Sequence, residues 1–227
     1  MKNALKVSLL VLALASAHAQ AVETRLDGKY FDIIYDSASL GLFGTPTLSG
    51  NTLFFTPTTF SAESSSMSTF KTGSTISFWI VADDGHHLTG ASLLEQGDYN
   101  ADKEDDKSAR VAVGGQTRFV DNNHPGSSTS AAIVGAGVSD LPANGFSSTS
   151  DWAATSLQTF QSGATKIKFT IENLLFANAG SQSNYAFIEK KYVGLTVSAV
   201  PEPESYAMLL AGLGILGAVV RRKKMPA

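Results

Sequence analysis

Ser74 to Ala82, Ser-Thr-Ile-Ser-Phe-Trp-Ile-Val-Ala, mixes β-branched and aromatic residues in a run that suits a half-buried pleated strand and little else. Runs of this kind recur along the chain, punctuated by Gly, Asn, Asp and Ser, and no convincing amphipathic helix separates them. That pattern restricts the body to an all-β architecture, a β-sandwich or jelly-roll-like ectodomain of eight to ten short strands. Tyr30 to Asp36 reads as one strand. Thr47 to Ser49 and Thr52 to Thr56 form a hairpin about Gly50-Asn51, a pair that tolerates positive φ. Asp83-Asp84-Gly85 turns the Ser74 strand into a weaker return strand, His86 to Leu94. Arg110 to Val113 and Gln116 to Val120 flank Gly114-Gly115 as a further hairpin. Ala131 to Val138 is a weaker strand, Thr165 to Leu175 alternates clearly, and Tyr185 to Val200 supplies one or two more. Ser61 to Thr69 and Gly126 to Ser130 read as polar loops, and Asp151 to Ala154 as a short helical turn. There is no internal repeat.

The end of the chain is of another kind. Val200-Pro201-Glu202-Pro203-Glu204 precedes an uncharged apolar run from Ser205 to Val220, which Arg221-Arg222-Lys223-Lys224 closes. Cations are retained on the cytoplasmic side and halt export of what precedes them, so this pattern leaves the body outside and the tail held in the membrane. As a helix, the apolar run spans about 24 Å against a hydrocarbon core of about 30 Å. It is a slightly short transmembrane helix, whose basic side chains can snorkel to the headgroups. Pro201 and Pro203 break regular structure upstream and predict an extended spacer, accessible to a protease without prior unfolding.

Val-Pro-Glu-Pro, a short hydrophobic helix and a basic cluster together resemble the PEP-CTERM sorting signal of Gram-negative bacteria. The resemblance covers about a tenth of the chain, and it implies a processing partner, the membrane protease-like enzyme exosortase, with Val200, Pro201, Glu202, Pro203 and Glu204 as the recognition element. Tails of this type also carry an ice-binding label, but the body has no repeated Thr-x-Thr array of the kind a flat ice-binding face would use.

The N-terminus agrees with export. Lys2 and Lys6 precede an apolar stretch from Val7 to Ala15, and Ala17-His18-Ala19 offers signal peptidase its small-x-small pattern, with Ala19-Gln20-Ala21 as a second frame. The chain therefore divides into a signal peptide (1–19), an exported all-β domain (20–199) and a sorting signal (200–224). With no cysteine anywhere, the lipoprotein route is closed and the domain must hold together without disulfides. Residues 20–199 carry 11 Lys and Arg against 18 Asp and Glu, a charge of −7 where the whole chain is at −3. An acidic body argues against nucleic acid as a partner.

Candidate chemistry in the body is sparse. Asp98, Asn100, Asp102 and Glu104 place oxygen ligands at alternate positions, a weak calcium pattern that lacks the Gly and Glu of an EF-hand loop. His86 and His87 are neighbours on a strand and face opposite ways, which disfavours a shared metal. Gly212 to Gly217 matches a dinucleotide-binding glycine pattern by letter only, since it lies inside the apolar tail. Gly214 with Ala218, and Ala207 with Ala211, have the spacing that admits another helix. No nucleophile elbow, phosphate loop or zinc-protease motif occurs, so the expectation is a protein that is not an enzyme and has no cofactor beyond that weak calcium pattern. The leading expectation is an exported cell-surface or extracellular-matrix protein. A polysaccharide-binding module is the alternative, with Trp79 and Trp152 as stacking candidates although Trp79 reads as core; a secreted hydrolase comes third.

Overall fold

The computed structural model describes residues 22–102, 109–135, 141, 143–145 and 148–223. The strands are β1 (Glu23–Asp27), β2 (Phe31–Asp36), β3 (Thr47–Ser49), β4 (Thr52–Phe55), β5 (Ser61–Ser65), β6 (Thr69–Ala82), β7 (His86–Ala101), β8 (Arg110–Asp121), β9 (Ser128–Ala132), β10 (Ser150–Ala164), β11 (Lys166–Asn178) and β12 (Tyr185–Pro201). Helix α1 (Pro203–Lys223) follows directly. Two antiparallel sheets result. Sheet A has the order β1-β2-β6-β11-β8-β9, and sheet B has the order β10-β7-β12-β4-β3, with β5 also paired to β12.

Alternation along the long strands builds the core. Ile76, Phe78 and Ile80 of β6, and Ile167, Phe169 and Ile171 of β11, point inward from sheet A. Leu93 of β7, with Val193, Leu195 and Val197 of β12, closes the other side from sheet B. Phe78 stacks on Phe169 at 5.9 Å, and Phe119 meets Phe160 edge-on at 4.8 Å, so rings cross-link the layer where disulfides are absent.

Several local expectations are corrected. Gly114-Gly115 is no turn: β8 runs through it and stays paired with β11, Gly114 opposite Leu174 and Gly115 opposite Asn173. Gly115 has φ +143°, and a Cβ there would lie 2.1 Å from the Glu172 carbonyl oxygen, so glycine permits a close backbone approach inside a strand. Asp151 to Ala154 belongs to β10, paired with β7 from Asp98 to Glu95, because Trp152 and Ala154 alternate inward where a helical turn would not place both. Ser61 to Ser65 is a strand against β12, and Ser128 to Ala132 one against β8, so both supposed loops are partly sheet. The expected strand Ala131 to Val138 is cut short, with Val134 making an isolated bridge to Thr155; residues 136–138 lie outside the described residues. Trp79 is also not core: with Phe78 and Ile80 inward, it projects half-buried from the outer face of sheet A, with the Lys166 amine 4.7 Å from its ring centroid. The expected signal peptide, with Ala17 and Ala19, lies outside the described residues.

Candidate functional site: the strand-to-helix junction

The sorting residues lie where β12 becomes α1. Val200 is registered against His87 and Pro201 against His86, and the Glu202 N–H donates to the Gly85 carbonyl at 2.8 Å. Gly85, at φ +73°, makes the turn that brings β7 back alongside; the His86 N–H closes it on the Asp83 carbonyl at 3.0 Å. The turn is itself moored, because the Asp83 N–H donates to the Tyr30 carbonyl at 3.0 Å and the His86 ring stacks on Tyr30 at 4.9 Å. Pro203 opens α1, where a missing N–H costs nothing, and Glu204 sits in the first turn, where a negative charge complements the helix dipole. The expected free extended spacer is thus corrected: two of its residues belong to a ladder, a third is bonded to a turn, and the last two are helical.

Helix α1 leaves the sandwich without packing on it. Every described side chain from Tyr206 to Gly217 is exposed, among them Met208, Leu210 and Ile215 at 67% or more. Arg221, Arg222 and Lys223 form its last turn, while Lys224 lies outside the described residues. Among the described residues no helix is long and apolar enough to cross a membrane. The transmembrane helix expected over 205–220 is thus not shown: the run is helical, and its described side chains from Tyr206 to Gly217 are uncovered.

The remaining candidates are dispersed. Asp98 and Asn100 stand on the outer face of sheet B, where Lys191 holds Asp98 in an ion pair. Asp102 is buried and accepts the Tyr185 N–H at 2.9 Å, and Glu104 lies outside the described residues. Among the described residues no group of three or more His, Cys, Asp or Glu side chains is placed to hold a metal ion. His87 joins the ladder beside Val200, and His86 stacks on Tyr30. Trp152 is buried and donates its indole N–H to the Glu189 carbonyl at 3.1 Å.

Two features went unseen in the sequence. Lys190 and Glu95 form an ion pair whose side chains are wholly buried between the sheets, with the amine 5.4 Å from the Phe60 ring and 5.5 Å from that of Trp152. Burial pushes the Lys190 amine below its ordinary range, and the carboxylate of Glu95 opposes that shift. On the outer face of sheet B, Phe54 and Tyr192 are half-buried neighbours with ring centroids 5.9 Å apart and planes at 52°. No local motif marks either pair, since each joins residues of different strands.

A PEP-CTERM protein-sorting motif matches residues 199–224. The match starts inside β12 and ends one residue past α1. No curated protein matches the chain significantly. Among solved structures, a carbohydrate-binding module, TmCBM61 in complex with β-1,4-galactotriose, aligns over 81% of this chain and 90% of its own, at 11% identity and a TM-score of 0.19. That score is too low to carry an argument about shared fold or ligand.

Proposed function

We propose that this is an exported protein of the cell surface or extracellular matrix, delivered by its C-terminal signal, processed by exosortase, and non-enzymatic in its body. The observation that carries the reading is the sorting motif at 199–224 seated on an apolar helix that the body leaves uncovered. Although α1 falls short of an ordinary membrane span, apolar surface left bare by the body favours lipid over water, and its terminal cations would keep that end cytoplasmic. Signal peptidase removes residues 1–19 at the other end. The helix then serves as a transient anchor that holds the acidic body outside until the tail is cut.

Fractionation of the native host tests this. Replacing Arg221, Arg222, Lys223 and Lys224 with Ser removes the positive charge that fixes the tail, and the protein is expected to pass into the medium with an uncut C-terminus. Unchanged membrane retention and unchanged processing of that variant would contradict the proposal.

A further inference from the structure

The outer face of sheet B holds aromatic surface that the fold does not need. Strand alternation should leave this face polar, and most of it is: Thr52, Ser92 and Thr196 stand side by side across β4, β7 and β12. Tyr192 breaks the rule through a bulge. Lys190 pairs with Gly97 and Tyr192 with Gln96, so Lys191 is the extra residue, and Tyr192 lies on the outer face although Lys190, two positions earlier, is core. Gly194 makes room for the ring. A Cβ built there would lie 2.4 to 3.0 Å from three atoms of the Tyr192 phenol, so the ring lies along β12 over Gly194, beside Phe54, which is registered with Gly194.

A groove of about 310 Å³ adjoins this platform, lined by Gln96, Asp98, Asp151, Lys191 and Tyr192, with Trp152 behind. Asp151 and Gln96 are exposed there, and Gln96 stands between Ala153 on one neighbouring strand and Tyr192 on the other. Lys191 is engaged by Asp98 and also by Glu189, at 3.0 Å, so the one cation of the groove has its charge balanced. From Ala153 on β10 through Gln96 and Tyr192 to Phe54 on β4 is three strand spacings, about 14 Å, the span of a short oligosaccharide.

We propose that this face is a binding site for a neutral polysaccharide, with Tyr192 and Phe54 stacking on sugar rings while Gln96, Asp151 and the Asp98–Lys191 pair hydrogen-bond their hydroxyls. The balanced cation and the free carboxylate of Asp151 set the site against uronate or sulfated chains, which carry the same sign as the −7 body. The inference deepens the proposed surface role and takes its location from it. Trp79, on the opposite sheet, lines a separate groove with Lys168, Glu23 and Asp36 and takes no part.

Affinity electrophoresis of the detergent-solubilised full chain through gels containing xylan, galactan, glucomannan, dextran or, as the acidic arm, alginate tests the site without reference to processing. Retardation is expected on at least one neutral polymer and not on alginate. Tyr192→Ala and Phe54→Ala should each weaken it roughly tenfold, the loss of about 1.4 kcal/mol. Tyr192→Phe should retain most of the binding, Asp151→Ala should weaken it, and Trp79→Ala should leave it unchanged. Asp151 is exposed, so its variant keeps the test valid if the aromatic variants misfold. No retardation on any neutral polymer, binding indifferent to Tyr192, Phe54 and Asp151 alike, or stronger binding to alginate would overturn the proposal. None of these results would bear on the sorting signal.

Discussion

At the residue scale, the fold carries a charge pair where an apolar pair would serve. Lys190 and Glu95 have no exposed side-chain surface, and the paired state is held by mutual attraction and by the Phe60 and Trp152 rings. Removing one partner strands the other: Glu95→Gln or Lys190→Met is expected to cost about 3 to 5 kcal/mol. Replacing both, as Glu95→Leu with Lys190→Met, should recover most of that loss, and urea unfolding of the three variants checks the order. Gly97 offers a second prediction. A Cβ there would lie 1.9 Å from the Glu189 carbonyl oxygen and 2.8 Å from the Trp152 ring, so Gly97→Ala should destabilise by about 1 to 3 kcal/mol in the same assay. Neither constraint was legible in the sequence, because Glu95 and Lys190 lie in runs that look polar and outward-facing. The inward turn of Lys190 becomes visible only when the bulge at Lys191 is placed in register with β7.

At the scale of elements, β11 was legible by its alternation of Ile167, Phe169 and Ile171 with Lys166, Lys168 and Thr170, and β6 by its β-branched and aromatic composition, whereas β12 is one long strand where the residues suggest one or two. The Ser74 strand was read correctly and proved longer, extending back to Thr69. The failures came where composition outweighed pairing. Two glycines in β8 imitated a turn, and the serines of β5 imitated a loop, yet long-range partners in β11 and β12 hold both as strands. The sorting motif was recognised by its residues while its setting was misjudged, since prolines that would leave an isolated peptide extended stand here at a strand end and a helix start. That setting has a kinetic consequence. An enzyme engaging Val200 to Glu204 must first separate Val200 and Pro201 from β7 and release Glu202 from Gly85. A four-residue Gly-Ser linker placed between Ala199 and Val200 should therefore speed C-terminal processing in pulse-chase labelling; an equal or slower rate would show that the docked strand end sets no barrier.

At the scale of the whole molecule, a two-sheet body and a bare apolar helix are joined with only Glu202 between strand and helix. The sandwich fills its core from both sheets, whereas α1 presents Met208, Leu209, Leu210, Leu213, Ile215 and Leu216 to its surroundings. Truncation after Glu202 removes that apolar surface, so it should reduce self-association in detergent-free sedimentation while preserving the thermal transition of the body. The separation of the two parts was the feature most legible in the sequence, because a long uncharged run followed by four cations is a local pattern that no pairing can disguise. The function of the body was the least legible, because the outer face of sheet B is assembled from β4, β7, β10 and β12, which are far apart in the chain.

Intact-mass measurement of the protein recovered from its native host tests the sorting account most directly. The account predicts a species shortened at both ends, beginning near Gln20 and ending close to Val200–Glu204, outside the cytoplasm. Recovery of the whole 227-residue chain from the cytosolic fraction, uncut at either end, would contradict it.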